Sequence, residues 1–253
     1  MDTSKRFEDL YNKSFRQNSF EFTDFLSLQE LSTLAENREI SPGAYTVSGG
    51  FCDAQRCMVR FGSEEEFGYS EPFPIACLKI EPLNVKFADE LTHRDFLGAL
   101  MNLGIKREVL GDILVTEAHT GGKDKSCIAF LFCMESIAEY IIGSLDKVKH
   151  TSVRVSRQEE LPDIAVREPE SIEFQSASER LDGIIAGFYK KSRAEVKELF
   201  ASGLVFLNGK VTENPGHTLK EGDRVTVRGY GRFSYVGVSG TSKKGRLYVI
   251  VKA

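Results

Sequence analysis

The order of apolar segments between residues 75 and 155 most strongly constrains how this 253-residue chain can fold. Four strand-like apolar runs occur there, at Ile75–Ile80, Asp112–Thr116, Cys127–Cys133 and Val153–Val155. Apolar residues at helical spacing, around Phe96–Leu103 and Ile137–Leu145, separate the first run from the second and the third from the fourth. The order strand, helix, strand, strand, helix, strand predicts a split βαβ unit, an α+β arrangement with a ferredoxin-like sheet.

RNA-recognition motifs share this topology, so the third strand tests for their mode of base stacking. Residues 125–132 read KSCIAFLF, and the two stacking positions would hold Cys127 and Ala129, which offer no aromatic ring. We expect Phe130 and Phe132 to lie in the core. The preceding turn, residues 121–126, is rich in Gly and Lys but lacks the P-loop spacing. It predicts a hairpin turn or, alternatively, a flexible loop that contacts phosphate.

Four segments follow from patterning along the rest of the chain. Residues 1–42 are predicted to form a helical subdomain, in which Ser27–Glu30 has the form of a capping box. Residues 43–157 form the ferredoxin-like domain. The segment 158–175 contains two prolines and many acidic residues, and is predicted to be a linker. Residues 176–253 form the C-terminal domain.

The charge of the chain is unevenly distributed. Residues 174–253 contain 14 Lys and Arg against 7 Asp and Glu, whereas the other 173 residues contain 19 against 30. The two parts therefore carry formal charges of +7 and −11 inside a total of −4. This asymmetry predicts a polyanionic partner for the basic end. The alternative is that the basic domain only complements the acidic one.

Cysteines and hydropathy exclude several classes of protein. The five cysteines form no CxxC pair, so we expect reduced thiols and no metal site. No stretch of about 18 apolar residues predicts a membrane span, and the first residues lack an apolar signal core. We therefore expect a cytoplasmic location, without contact with membranes.

The C-terminal domain begins with a helical pattern. Ser176–Glu179 has the form of a second capping box. The apolar stripe of the helix is then formed by Leu181, Ile184, Ile185 and Phe188. Glycine inside a helix costs about 1 kcal/mol relative to alanine, so Gly183 and Gly187 need a reason. Either the helix packs tightly there or an RNA backbone approaches it.

A second helix is predicted directly after the first. Ser192–Glu195 is a third capping box, and Gly203 is placed to end the helix in the left-handed conformation. Four cations gather near its start: Lys190, Lys191, Arg193 and Lys197. Together with the bare amides of a helix N-terminus they predict an anion site. Beyond the helix, Asn208-Gly209 is a hairpin turn signal, and Val225–Val227 and Leu247–Val251 read as strands.

These residues resemble a known family in order and spacing. The matching motifs are Arg180-Leu181-Asp182, Ser192-Arg193, Gly203-x-Val205-x-Leu207-Asn208-Gly209-Lys210 and Gly222-Asp223-x-Val225-x-Val227. Over about 60 residues they resemble the S4-like RNA-binding domain of ribosomal protein S4. With the helical start, the ferredoxin-like middle and the segment His93–Gly98 before Gly104-Ile105-Lys106-Arg107, the whole chain is similar to the YlmH family.

The resemblance implies an RNA-binding surface on the C-terminal domain and no catalysis. The residues it assigns to RNA binding are Arg180, Lys190, Lys191, Ser192, Arg193, Lys197, Asn208, Lys210, Arg228 and Arg232. Arg228, Arg232 and the turn Lys243–Arg246 are second-rank contacts, and Asp182 is a structural partner of a cation. The implied partners are large-subunit ribosomal RNA, tRNA and the large ribosomal subunit, in ribosome-associated quality control or rescue. We expect a monomer without cofactor, metal, catalytic residue or small-molecule substrate.

Two other functions remain open from the sequence. The alternative is an RNA-modifying enzyme of the pseudouridine synthase or methyltransferase type, because S4-like domains often accompany such enzymes. Arg180-Leu181-Asp182 resembles a catalytic signature of one synthase group, but Ile185-Ala186-Gly187 replaces its downstream motif. No G-x-G-x-x-G follows a strand to hold a methyl donor. A protein adaptor, with the acidic part as docking surface, is compatible with RNA binding.

Overall fold

The computed structural model describes residues 3–117, 127–166, 169–243 and 245–253, and the chain forms two compact units. The first unit is Met1–Glu168 and the second is Pro169–Ala253. The Gly- and Lys-rich turn predicted at residues 121–126 lies outside the described residues. None of the helices in the described ranges is long and apolar enough to cross a membrane.

The first unit begins with helices packed on a small sheet. Its elements are α1 (Thr3–Gln17), β1 (Glu21–Phe22), α2 (Leu28–Ala35), β2 (Tyr45–Ser48), β3 (Met58–Phe61) and α3 (Glu64–Phe67). Ser27 and Glu30 form the predicted capping box at the start of α2. The three strands pair in the order β1-β3-β2, and Val59 and Phe61 of β3 share a core with Phe7 and Leu34. The N-terminal subdomain is thus not purely helical, because strands beyond residue 42 complete its sheet and core.

The rest of the first unit is the predicted ferredoxin-like fold. Its elements are β4 (Ile75–Pro82), α4 (His93–Asn102), β5 (Leu110–Glu117), β6 (Cys127–Met134), α5 (Glu135–Ser144), β7 (Lys147–Val148), β8 (Thr151–Gln158) and α6 (Asp163–Val166). The sheet order β5-β6-β4-β8-β7, with antiparallel neighbours, confirms the predicted topology. Side chains of α4 and α5, including Phe96, Leu100 and Ile141, bury one face of this sheet.

The third strand of this domain does not present a stacking platform. Ala129 is buried in the core beneath the helices, and Cys127 packs against the same core. On the opposite face Phe132 is buried with Cys77 and Ala165, and Phe130 packs against that cluster. The prediction that Phe132 is a core residue is therefore confirmed, and base stacking at Cys127 and Ala129 is excluded.

The second unit packs two short helices on a six-stranded sheet. Its elements are β9 (Ser171–Ser176), α7 (Leu181–Phe188), α8 (Arg193–Ala201), β10 (Val205–Leu207), β11 (Lys210–Val211), β12 (Arg224–Val227), β13 (Gly231–Thr241) and β14 (Leu247–Lys252). The strand order is β11-β10-β12-β13-β14-β9. Leu181, Ile184 and Ile185 of α7 are fully buried against strand residues such as Val225 and Val249. The predicted apolar stripe thus fixes α7 to the sheet.

The predicted linker at residues 158–175 contains regular structure. It includes α6, and β9 pairs along its whole length with β14, from Leu247 opposite Ser176 to Lys252 opposite Ser171. Edge strands are exposed and polar, so the composition of β9 resembled that of a linker. Its pairing partner lies about 75 residues further along the chain, beyond the reach of a local pattern.

The predicted capping box at Ser176–Glu179 is wrong. Ser176 ends β9 and donates its hydroxyl to the carbonyl of Ser178, while Glu179 accepts a hydrogen bond from the Tyr235 hydroxyl. Helix α7 begins at Leu181, and Arg180 is its N-cap residue without a side-chain capping bond. Ser176 and Glu179 therefore cannot form the capping box, because Ser176 is part of β9 and Glu179 is bonded to Tyr235.

Candidate nucleic-acid interface

A cavity of about 770 Å³ opens beside α7 and α8 in the second unit. The side chains of Arg180, Arg193, Lys197 and Arg246 line it, and we call it the cationic groove. Arg180 occupies the N-cap position of α7, whereas Arg193 and Lys197 lie one turn apart on α8 and are exposed. Arg246 comes from the turn before β14, which brings it close to the helices. Cations from both helices and from the sheet therefore lie on one concave surface.

An acidic side chain lies among the cations of this groove. Asp182 accepts two hydrogen bonds from Arg180, at 3.1 Å from Nε to Oδ1 and 2.9 Å from Nη2 to Oδ2. These bonds hold the pKa of the Asp182 carboxyl below its usual range, and they raise the pKa of Arg180. The prediction that Asp182 is a structural partner of a cation is confirmed. The contact with Arg180 therefore stabilises the ionised form of this carboxylate.

The start of α8 carries its own anion. The Glu195 carboxylate accepts hydrogen bonds from the Ser192 amide and hydroxyl, both at 2.8 Å, and Ser192 Oγ accepts from the Glu195 amide. These bonds to Ser192, and then Lys191 at 3.2 Å, lower the pKa of Glu195 to about 2. The capping box is confirmed, and it occupies the amides of Ser192 and Glu195, two of those near the predicted anion site. Lys190 is exposed in the turn with a left-handed φ of 52°.

The two glycines of α7 have different surroundings. A Cβ on Gly187 would lie 2.7 Å from ring carbons of Phe174, so this glycine permits close packing of α7 on β9. A Cβ on Gly183 would lie 3.3 Å from Ser176 Oγ, and Gly183 itself lines the cationic groove. Tight packing against Phe174 therefore accounts for Gly187, although both glycines line the cationic groove.

Asn208 connects two turns of the sheet. Asn208 and Gly209 have φ angles of 49° and 82°, the left-handed pair that the predicted hairpin turn requires. The Asn208 amide donates to Asp223 Oδ1 at 2.9 Å and accepts from the Arg224 amide at 2.9 Å. Both ends of its side chain are thus engaged within the protein. Lys210 is exposed on the neighbouring strand β11. Its assignment and that of Asn208 to RNA contact remain predictions.

Arg228 and Arg232 do not belong to the cationic groove. Val225, Val227 and Phe233 of the same strands face the core, so Arg232, which is opposite Thr226, faces away from the helices. The guanidinium of Arg228 lies 5.1 Å from the centroid of the Phe206 ring on that outer side. The ten predicted residues are therefore distributed over the groove, the turn before α8, the Asn208 turn and the sheet. Arg246, which was predicted from the sequence to be only a second-rank contact, lies in the groove itself.

Acidic residues near the start of α4 have structural partners. Asp95 accepts hydrogen bonds from the Thr92 amide and hydroxyl, both at 2.7 Å, and pairs with Lys149 at 2.9 Å. Asp89 accepts from the His150 amide and the Thr151 hydroxyl. These contacts give both carboxylates a structural role. In the part of the chain that is described, no three His, Cys, Asp or Glu side chains are grouped as metal ligands.

Comparisons with known proteins match both units. The family model "Putative RNA-binding domain in YlmH" matches residues 69–161, and the model "S4 domain" matches residues 179–225. The chain is 28% identical over 235 residues to "Ribosome-associated protein quality control protein P2" of Bacillus subtilis (strain 168), which covers 91% of this chain and 86% of that protein. A solved structure, "Cell division protein ylmH from Streptococcus pneumoniae", is 20% identical with a TM-score of 0.44, over 62% of this chain and 88% of that one.

The two matched domains and the relative indicate an RNA-binding protein, and the second unit resembles an S4 domain over residues 179–225. The YlmH-type domain that precedes its S4 domain confirms the resemblance of the chain to the YlmH family.

Proposed function

We propose that this protein binds structured RNA of the translation apparatus without catalysing a reaction. Its partners are large-subunit ribosomal RNA and tRNA on the large ribosomal subunit, and its role lies in ribosome-associated quality control. The single observation that carries RNA binding is the cationic groove, which joins Arg180, Arg193, Lys197 and Arg246 in one S4 unit. The role in quality control rests on the name of the Bacillus subtilis relative and on an alignment over 91% of this chain.

Each cation in the groove suits a particular contact. Arg193 can hold phosphate oxygens bidentately, because the guanidinium fork matches them. Arg180 donates Nε and Nη2 to Asp182, so it meets phosphate through the opposite edge of its guanidinium, at Nη1. Lys197 and Arg246 add charge at the rim. Lys190, Lys191, Ser192, Asn208 and Lys210 contribute contacts around the groove, and the protein works as a monomer. The alternative of an RNA-modifying enzyme gains no support from the comparisons, which match a YlmH-type RNA-binding domain and an S4 domain.

The test is the variant R180Q/R193Q/K197Q. Each phosphate contact contributes about −0.7 to −0.9 to the slope of log affinity against log salt concentration, and six contacts would give roughly −4 to −5. We expect the variant to stop co-sedimenting with purified bacterial large ribosomal subunits at 150 mM salt, and its slope to become shallower by about 2 to 3. Circular dichroism should show an unchanged fold, since all three side chains are exposed.

A charge-matched control is available in the first unit. The variant K5Q/R16Q/R38Q removes three exposed cations from outside the S4 unit. It should bind with the affinity and slope of the unmodified protein. If the groove variant also keeps both values, the groove is not an RNA-binding site and the proposal is wrong.

A further inference from the structure

The sheet of the second unit has a face that the helices leave uncovered. Every second side chain along a strand points toward α7 and α8, and these side chains, such as Val205, Val225 and Phe233, are buried in the core. Their neighbours along each strand point to the opposite side, because side chains alternate across a sheet. One row on that side consists of Arg224, Ser234 and Lys252, which are directly opposite one another in the register. The next row consists of Phe206, Thr226 and Arg232.

The charge on this uncovered face is almost entirely positive. Its cations are the exposed Arg228 and Lys252 and the half-buried Arg224, and we call this surface the basic sheet face. Arg232 points to the same side, but its Nη1 atom is buried within the protein. Glu173 is the one acidic residue in strands β9 to β14, and its carboxylate accepts a hydrogen bond from Ser239 at 2.6 Å. Arg224 and Lys252 are two strands apart, which is about 10 Å. Like charges gathered at such spacing repel one another, and a polyanion would remove that repulsion.

An aromatic ring lies among these cations. The guanidinium of Arg228 stands 5.1 Å from the centroid of the Phe206 ring, which is half-buried on β10. Proteins bind unpaired nucleotides by stacking bases on aromatic rings and guanidinium planes, with cations placed for the phosphates. Thr226 and Ser234 add hydroxyl groups of the kind that donate to phosphate oxygens. Charge, ring and hydroxyls therefore fit a polynucleotide better than a small anion.

We infer that the basic sheet face is a second RNA-binding surface, separate from the cationic groove and occupied by a different RNA segment. The inference rests on the proposed function and extends it. Helices α7 and α8 cover the other face of the sheet, so one stretch of RNA backbone in the groove does not continue directly across the basic sheet face. The S4 unit thereby contacts RNA on both of its sides.

The test compares two sets of substitutions in the full chain. The variant R224Q/R228Q/K252Q removes cations from the basic sheet face, and R180Q/R193Q/K197Q removes them from the groove. Binding to purified bacterial large ribosomal subunits and to purified bacterial tRNA would be measured between 50 and 300 mM salt. We expect the sheet variant to lose roughly tenfold in affinity for at least one of the two ligands, with a slope shallower by about 2 to 3. K5Q/R16Q/R38Q is the matched control.

Failure of this inference can be distinguished from failure of the proposed function. If the groove variant loses binding while the sheet variant keeps its affinity and slope for both ligands, the second surface is disproved and the proposed function stands. If neither variant changes binding, both are disproved. A photo-crosslinker at position 226, in Thr226→p-benzoylphenylalanine, should give RNA adducts in cell lysate. Adducts with an acidic protein alone would overturn the assignment of this face to RNA.

Discussion

Single residues in the second unit show where local sequence determines structure and where it does not. Asn208 and Gly209 could be assigned from their types alone, because few residues adopt the left-handed conformation that this turn needs. Gly187 is different, since two explanations were open from the sequence. The ring of Phe174 decided between them, and it comes from a strand that composition had assigned to a linker.

Gly187→Ala should destabilise the second unit. The added Cβ would lie 2.7 Å from two carbons of the Phe174 ring, and overpacking of this kind costs about 1–3 kcal/mol. Alanine returns about 1 kcal/mol through its helix propensity, so we expect a net loss of up to about 2 kcal/mol. Urea unfolding of the fragment 169–253 would measure it.

Gly183→Ala is the comparison for that experiment. Its Cβ would meet Ser176 Oγ at 3.3 Å, a contact that a hydroxyl rotation can relieve. We expect the free energy of unfolding to stay unchanged or to rise by up to about 1 kcal/mol through the helix propensity of alanine. Equal destabilisation by the two substitutions would mean that the Phe174 contact does not explain Gly187.

Helix starts are the elements that the sequence predicted best, with one instructive exception. The boxes at Ser27–Glu30 and Ser192–Glu195 formed because both partners lie within one turn and no other element takes them. The box at Ser176–Glu179 failed because β9 pairs Ser176 with Leu247, and Tyr235 binds Glu179. Sequence patterns within a turn could not reveal that competition. The placement of Arg246 in the groove depends on the same long-range pairing.

The capping box of α8 should make stability depend on acid pH. The folded pKa of Glu195, about 2, lies below the roughly 4.3 expected for an unfolded glutamate. The carboxylate therefore stabilises the fold fully above about pH 4.3, and that contribution is lost as the pH falls through about 2. Glu195→Gln should flatten the decrease in melting temperature of fragment 169–253 between pH 4.5 and 2. An unchanged acid profile would show that Glu195 does not contribute.

At the scale of the whole molecule, the charge split follows the two units. Met1–Glu168 contains 19 Lys and Arg against 28 Asp and Glu, and Pro169–Ala253 contains 14 against 9. Their formal charges are −9 and +5. The fold class and the order of domains could be predicted because they depend on periodicity within short windows. The extent of the second unit could not, because β9 joins it only by pairing with the last strand of the chain.

The second unit should fold and bind RNA by itself if it begins at residue 169, and not if it begins at residue 177. The shorter fragment lacks β9, so β14 becomes an unpaired edge strand. It also lacks Phe174, whose ring packs against Gly187 of α7. We expect fragment 169–253 to unfold cooperatively and retain most of the salt-dependent RNA affinity. Fragment 177–253 should aggregate or melt at a lower temperature. Equal stability of the two would show that β9 is dispensable.

The contact between Arg180 and Asp182 has a consequence for selectivity against small metabolites. A free phosphate or nucleotide has to displace a carboxylate that is already bound at 2.9 Å and linked to the same chain. Such a small anion gains only the contact with Arg180, and its binding releases few counterions. An RNA strand reaches several cations at once and frees the counterions condensed along it. We therefore expect the cationic groove to bind a polymer in preference to a free nucleotide.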